Sequence, residues 1–551
     1  MSRATSAMAA ALLFAAAGTA AAQSDPAGFD FVYNIGTAPS GSIFDVPGAV
    51  TGTQVGDGNF SDRDALVTPS FLGGDTLGPE SQLNLFDGGE ILQRFTVGPS
   101  SGPGSSVEVN IAGGKVGDRF RALGGVVVNI SGGSVGPLFD AGGGSTINIT
   151  GGTIGPLFDA IGLSTVNLAG GSIGINARAF DGSTFNISGG AVGIGFNAEL
   201  GTEVNIAGGT IGQVFSSDGS VTLTSGSIGD NFDAGATSDV NIAGGTIGQG
   251  FSSDGSVTIS SGSVGDDFNA GPASVINIAG GTIGQDFAAN GTVNISSGSV
   301  GDGFDADPGS DVNINGGTIG ERFRAYSGTT VTINGGTVDD FFFAEFGSVV
   351  NITGGTVSQG FVTNGTANIS GGSIANSFDA GFDSAVNISG GSIGDGIDAL
   401  DGSIVSITGG DIGDRFDAFG GSTVNILGGV IGDRFEAFSG STINILGGVI
   451  GDAFDALEGS EVNLTGTRFF LDGVAINDLD FGETTTITDR DVALTGRLAD
   501  GSAFDFDLAT NNFSDSGFFS PDATLTVTLV PTPGAAGLLA MGGLFAARRR
   551  R

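Results

Sequence analysis

A tripeptide, Val-Asn-Ile or a close variant, returns along this chain at a fixed spacing, and no other feature restricts its folding so strongly. The central residue falls at Asn110, Asn129, Asn148, Asn167, Asn186 and Asn205, each 19 residues after the last. The series continues through Thr222, Asn241, Thr258, Asn277, Asn294, Asn313, Thr332, Asn351, Asn368, Asn387, Ser406, Asn425, Asn444 and Asn463. Four intervals shorten to 17 residues, ending at Thr222, Thr258, Asn294 and Asn368. Asn84, in Leu-Asn-Leu, opens the series as a first coil followed by an insertion, which makes 21 coils. A short fixed period of this kind is the signature of a solenoid, whose units bury their apolar face only by stacking.

The full unit reads V-N-I-x-G-G-x-I-G-D-x-F-D-A-x-x-G-S-T. Alternation puts Val and Ile of the tripeptide on one face and Asn on the other. The second Ile, the Phe and the Ala stand at even offsets, so all three point inward if that segment is extended. Gly-Gly and Gly-Ser supply the turns, where a positive φ costs glycine little. The 17-residue coils lose two residues between Phe and the Gly-Ser turn, as at Phe215 to Ser220, which leaves the core columns in register. The expected fold is all-β: a single-stranded parallel β-solenoid of 21 coils, with strands about 4.8 Å apart and a length on the order of 100 Å. A column of Phe residues would stack inside, thinned locally at Ala177 and Ile397, and the Asn residues would form an amide ladder.

Composition agrees. The 551 residues include 105 Gly and 42 Phe, with no His, Cys or Trp. Glycine lacks a collagen period, and the apolar content is too high for a disordered chain. Without Cys there are no disulfides and no thiol chemistry. Without His, the Ser-His, Cys-His and His-metal arrangements are excluded as well. The 58 acids against 18 bases give a formal charge of −40, and no basic residue occurs between Ala179 and Glu321. Such a chain does not suit nucleic acid, whose binding requires phosphate neutralisation.

Both ends carry trafficking patterns. Arg3 precedes a short apolar run over residues 7–17 and a small-residue stretch ending at Ala22 before Gln23, the layout of a signal peptide cleaved there by signal peptidase. At the other end Val530, Pro531, Thr532 and Pro533 precede an apolar run of about 14 residues, short of the roughly 20 that span a bilayer. The chain stops at Arg548, Arg549, Arg550 and Arg551, a basic end held on the cytoplasmic side. This tripartite ending resembles the PEP-CTERM sorting signal, with Thr532 where that family has its Glu. The resemblance implies export, transient inner-membrane anchoring, processing by an exosortase-type enzyme and delivery to the cell surface or outside. The expected organisation is therefore residues 1–22 signal peptide, 23–83 N-terminal cap, 84–464 solenoid, 465–529 β-rich cap or stalk, and 530–551 sorting signal.

Two acidic columns are the candidate sites. One follows the second Ile and includes Asp230, Asp266, Asp302, Asp395, Asp414, Asp433 and Asp452; the other follows Phe and includes Asp140, Asp159, Asp233, Asp305, Asp379, Asp398, Asp417, Glu436 and Asp455. Like charges about 4.8 Å apart repel unless screened, protonated or bridged. A solvated acidic face is the favoured reading; Ca²⁺, which favours carboxylate and carbonyl oxygen and could bridge the acids, is the alternative. Residues 447–455 resemble the nonapeptide calcium repeat of RTX proteins, with Ile450 in place of the third Gly and one motif per coil instead of two. Since each acid has many siblings, no catalytic residue stands out. The expected function is an exported structural or adhesive protein that binds weakly and multivalently, to extracellular polysaccharide among other partners. A polysaccharide-active β-helix enzyme and a calcium-binding repeat protein are the alternatives.

Overall fold

The computed structural model describes residues 31–35, 50–52, 54–55, 81–91, 93–98, 107–477, 479–511 and 517–532. The chain divides into two compact units, Met1–Gly284 and Gln285–Arg551. Strands and turns make up the described residues of both, with no helix among them.

In the first unit each coil contributes three strands, one per strip of the stack. The tripeptide strands pair in parallel at a one-coil shift, with Asn110 opposite Asn129, Asn129 opposite Asn148 and Asn148 opposite Asn167. After Gly-Gly a two-residue strand does the same, as Val116, Val135 and Ile154. The Asp-Ala strand forms the third strip, with Ala122, Ala141 and Ala160 in line. The inward residues of one coil, Val109, Ile111, Val116, Phe120 and Ala122, are 0–3% exposed. Burying one large apolar side chain per coil contributes roughly 1.5–3 kcal/mol, so the core grows by a constant increment as coils are added.

The 17-residue coils keep this register. Val204 faces Val221, Ile206 faces Leu223 and Ile211 faces Ile228, because the shortening is confined to Phe215–Ser220. In two of them the inward Ala becomes Ser217 or Ser253, whose Oγ accepts the N–H of Gly219 or Gly255 and braces the tighter turn.

Two expectations change. The segment from the second Ile to Phe is not extended: Arg119, Leu138, Leu157, Asn176, Val214, Asn231 and Asp267 turn the corner with φ of 56–63°. The corner N–H reaches the next coil, as Arg119 to the Pro137 carbonyl at 2.9 Å, and this bond offsets the strain of a left-handed non-glycine residue. The core also does not thin at Ala177. Phe185, which occupies a Val position between Val166 and Val204, turns its ring into the gap. Its centroid lies 6.0 Å from Phe158 and 4.9 Å from Phe196. Beyond it, the rings from Phe196 to Phe268 stack at 4.6–5.1 Å and within 8° of parallel, the spacing that the strands impose.

The stack also begins before Asn84. Phe31–Ile35 lies parallel on Ser81–Leu85 with Asn34 opposite Asn84, and Gln54–Val55 pairs with Glu90–Ile91.

The second unit repeats the same three strips. Its rings from Phe287 to Phe378 stack at 4.6–4.9 Å. Ile397, buried and in register between Phe378 and Phe416, then interrupts them. After Asn463 the chain departs. Glu461–Leu471 runs out of the stack and pairs antiparallel with Ala493–Leu498, which pairs antiparallel with Ala503–Asp507. The chain then returns. Gly517–Phe519 lies parallel on Phe454–Ala456, and Thr524–Leu529 lies parallel on Glu461–Leu471, as one more rung. Phe506 and Phe519 close the column over Phe454 at 5.2 and 5.6 Å.

Candidate functional site

The Asn column forms the expected ladder. Asn110 Nδ2 donates to Asn84 Oδ1, Asn129 to Asn110, Asn148 to Asn129 and Asn167 to Asn148, at 2.8–2.9 Å. From Asn110 to Asn186 each amide both gives and accepts along the stack, so this part of the face is committed to structure.

The first acidic column is partly committed too. Asp395 Oδ1 accepts the N–H of Asp414 at 3.0 Å, Asp414 that of Asp433 at 2.9 Å, and Asp433 that of Asp452 at 2.8 Å. Asp230 and Asp302 accept the N–H of Gln249 and Glu321 in the same way, and Asp230 Oδ2 also accepts from Gln213 Nε2. The glycine that follows the second Ile of the next coil belongs to this device. A Cβ on Gly248, Gly284, Gly432 or Gly451 would sit 2.2–2.4 Å from Oδ1 of Asp230, Asp266, Asp414 or Asp433 on the preceding coil. Gly and Asp of one repeat are thus coupled through the neighbouring coil, a relation the sequence alone does not display. Among the described residues no three acidic side chains converge as a metal-binding group.

The second column behaves differently in the second unit. Asp379, Asp398, Asp417, Glu436 and Asp455 stand directly opposite one another on five successive strands. All are half-buried or buried; Asp417 and Glu436 stand in sequence between the corner residues Arg415 and Arg434 and the rings of Phe419 and Phe438, which stack at 4.8 Å. Burial, then the like charges of Asp379 and Asp417, push the Asp398 carboxyl above the usual carboxylate range against the pull of Arg415. Burial raises Asp379 and Asp455 as well, and burial with the charges of Asp417 and Asp455 raises Glu436. Asp417 is paired with Arg415 at 3.4 Å through Oδ2. Its Oδ1, like Asp398 Oδ1, is buried with no hydrogen-bond partner among the described residues.

A groove of about 210 Å³ opens onto this strip, lined by Asn376, Ser377, Asp379, Asp395, Gly396, Asp398 and Arg415. Gly396 makes the opening: it holds the corner position occupied by Ser377 one coil before and by Arg415 one coil after. Asp395 of the first column thus meets Asp379 and Asp398 of the second across a concave surface. Arg415 was a missed participant, its signal being a cation recurring at the corner of an otherwise acidic coil.

Of the sorting residues, Val530 donates its N–H to the Gly466 carbonyl at 2.8 Å, and Pro531 and Thr532 follow it. Ala22, Gln23, Pro533 and Arg548, Arg549, Arg550 and Arg551 lie outside the described residues. No family model, curated protein or solved structure matches this chain.

Proposed function

We propose that this chain is an exported, non-catalytic protein of the cell surface or extracellular matrix, whose stacked coils bind weakly and repeatedly along an acidic face. One observation carries the reading: the outward position after Phe holds a carboxylate on five successive coils in perfect register. A surface built by translation offers a repeating partner the same contact at each step. Linked weak contacts then multiply apparent affinity by about 10²–10⁴. A polysaccharide of the matrix is such a partner, held by hydroxyl-to-carboxylate hydrogen bonds and by cations bridging acid to acid.

The test is deletion of whole 19-residue coils from the acidic strip of the full chain. The shortened proteins should fold, and retention on immobilised matrix polysaccharide should fall steeply with coil number. Undiminished retention after two coils are removed would sink the multivalent reading. Removal of residues 1–22 should abolish export, and replacement of Arg548, Arg549, Arg550 and Arg551 by Ala should disturb surface delivery, both read by cell fractionation.

The groove at Gly396 supports a second reading, cleavage of a polysaccharide, because it sets acids of raised pKa beside an arginine. Release of reducing ends by the intact chain, lost in Asp398→Asn, would establish it. The first reading is preferred because the same acids continue on the coils flanking the groove.

A further inference from the structure

A second cavity lies away from the acidic strip, where the chain leaves the stack, about 470 Å³ in volume, between the last coil and the antiparallel excursion. That size accommodates one or two sugar rings.

Its walls combine apolar and basic side chains. The inward Ile or Val after Gly-Gly is 0–4% exposed in the coils before it, but the last, Ile450, is half-buried and contributes an apolar patch to the cavity. Phe470 is half-buried beside it. Arg468 and Arg497 stand directly opposite each other on antiparallel strands, so their side chains share one face of the sheet. Like charges so placed are destabilising, and the chain brings them together although it has only 18 bases against 58 acids. The Arg468 guanidinium has no hydrogen-bond or ion-pair partner among the described residues, and Arg497 uses only Nη1, toward the Gly501 carbonyl at 2.8 Å. Asp452 and Asp505, both exposed on the rim, supply acceptors and no ion pair within 4 Å.

The site is also built in advance. A Cβ on Gly496 would lie 2.3 Å from the Arg468 carbonyl oxygen, and one on Gly466 2.5 Å from that of Arg497, so these two glycines permit the close approach that sets the arginines side by side. Asp500 fastens the excursion to the last coil by accepting the N–H of Gly448 at 2.9 Å and the N–H and hydroxyl of Ser502 at 2.8 and 2.6 Å.

We infer that this cavity binds a carboxylate-bearing sugar, a uronic acid unit of an acidic polysaccharide. Its carboxylate meets Arg468 and Arg497, its hydroxyls donate to Asp452 and Asp505, and its ring rests against Phe470 and Ile450. The guanidinium fork is the donor that matches a carboxylate geometrically, and the ligand's charge relieves the repulsion that the fold imposes. The inference deepens the polysaccharide reading and rests on it, adding a single high-contact site to the many weak ones.

The experiment is calorimetric titration of the full chain with trigalacturonate, with maltotriose as the neutral control and inorganic phosphate as the simple-anion control. Trigalacturonate should bind and the controls should not. Arg468→Gln and Arg497→Gln should each weaken binding at least tenfold while leaving the melting temperature unchanged or raised, since each removes a like-charge contact. Absence of trigalacturonate binding, equal binding of maltotriose or phosphate, or full binding by the double variant would overturn the inference. Retention on immobilised polysaccharide separates the two readings. Avid retention without trigalacturonate binding refutes the pocket alone, and trigalacturonate binding without avid retention refutes the multivalent face alone.

Discussion

The coils around Asp159 in the first unit and those around Asp398 in the second share one period, one register and one set of core columns. They treat faults and charges in opposite ways. Inside, each has a break in the Phe column. At Ala177 the missing ring is replaced by Phe185 from the neighbouring strand, whereas Ile397 takes the place of a ring itself, buried in register. Outside, the position after Phe reads Arg121, Asp140, Asp159, Arg178 in the first unit, with Arg121 bonded to Asp140 at 2.9 Å and Arg178 to Asp159 at 2.7 Å. In the second unit it reads five acids in a row. The interior is held to constant volume because a void or an overlap propagates to both neighbouring coils. The exterior is free to vary, and the unit that accumulates like charge there does so against its own stability.

The largest effect is expected from breaking the first compensation. Phe185→Ala should destabilise by about 3–5 kcal/mol, read as a fall in the urea midpoint, since among the described residues it is the Phe185 ring that links Phe158 to Phe196 across the Ala177 gap. A loss below 1 kcal/mol would show that Phe185 is not the filler. Adding a ring should then separate the two breaks. Ala177→Phe meets Phe185 and should cost about 1–3 kcal/mol by overpacking, while Ile397→Phe, with rings one coil away on either side, should change stability by less than about 1.5 kcal/mol.

The acidic strip predicts an unusual pH response. Asp379, Asp398, Glu436 and Asp455 have folded pKa values above their unfolded ones, so these four groups bind more protons in the folded than in the unfolded chain just above the ordinary carboxylate range. Their contribution to stability should therefore rise as pH falls from neutrality toward that range and decline again on return, in thermal melts. The variant with amides at these four positions should have a flatter profile. Fitting the same comparison to single residues, Asp398→Asn should stabilise by about 0.2–1 kcal/mol by relieving like charge. Asp159→Asn should destabilise by a similar amount by leaving Arg178 unpaired. Identical signs would refute the contrast. The smallest effect is expected from calcium. With Asp395, Asp414 and Asp433 each accepting a backbone N–H, millimolar Ca²⁺ should raise the melting temperature no more than Mg²⁺ at equal ionic strength. A larger shift with Ca²⁺ would establish specific sites.

How far such features could be read in advance varied with how local they are. The Asn ladder from Asn84 onward and the register across Phe215–Ser220 were legible, because a 19-residue translation places identical residues side by side. The corner at Arg119, Leu138 and Leu157 was not, because the residue type at its left-handed position changes from coil to coil. The role of Gly432 was hidden as well, since its need for a bare Cα comes from Asp414 one coil away. The excursion after Asn463 and the return of the chain at Gly517 also have no periodic mark. The face that sets Arg468 beside Arg497 therefore appears only once the strands are paired.

From the repeat alone follow the all-β class, the coil length, the inward columns of Val, Ile, Phe and Ala, and an outer surface rich in carboxylates. These are consequences of hydropathy and translation, and every coil states them again. Tertiary structure decided which oxygens are engaged by backbone N–H groups, how the Ala177 gap is filled, where Gly396 opens a groove, and that two arginines face one cavity at the end of the stack. The last three of these depend on a contact between residues that differ from their counterparts in other coils, and for such contacts a repeating pattern carries no information.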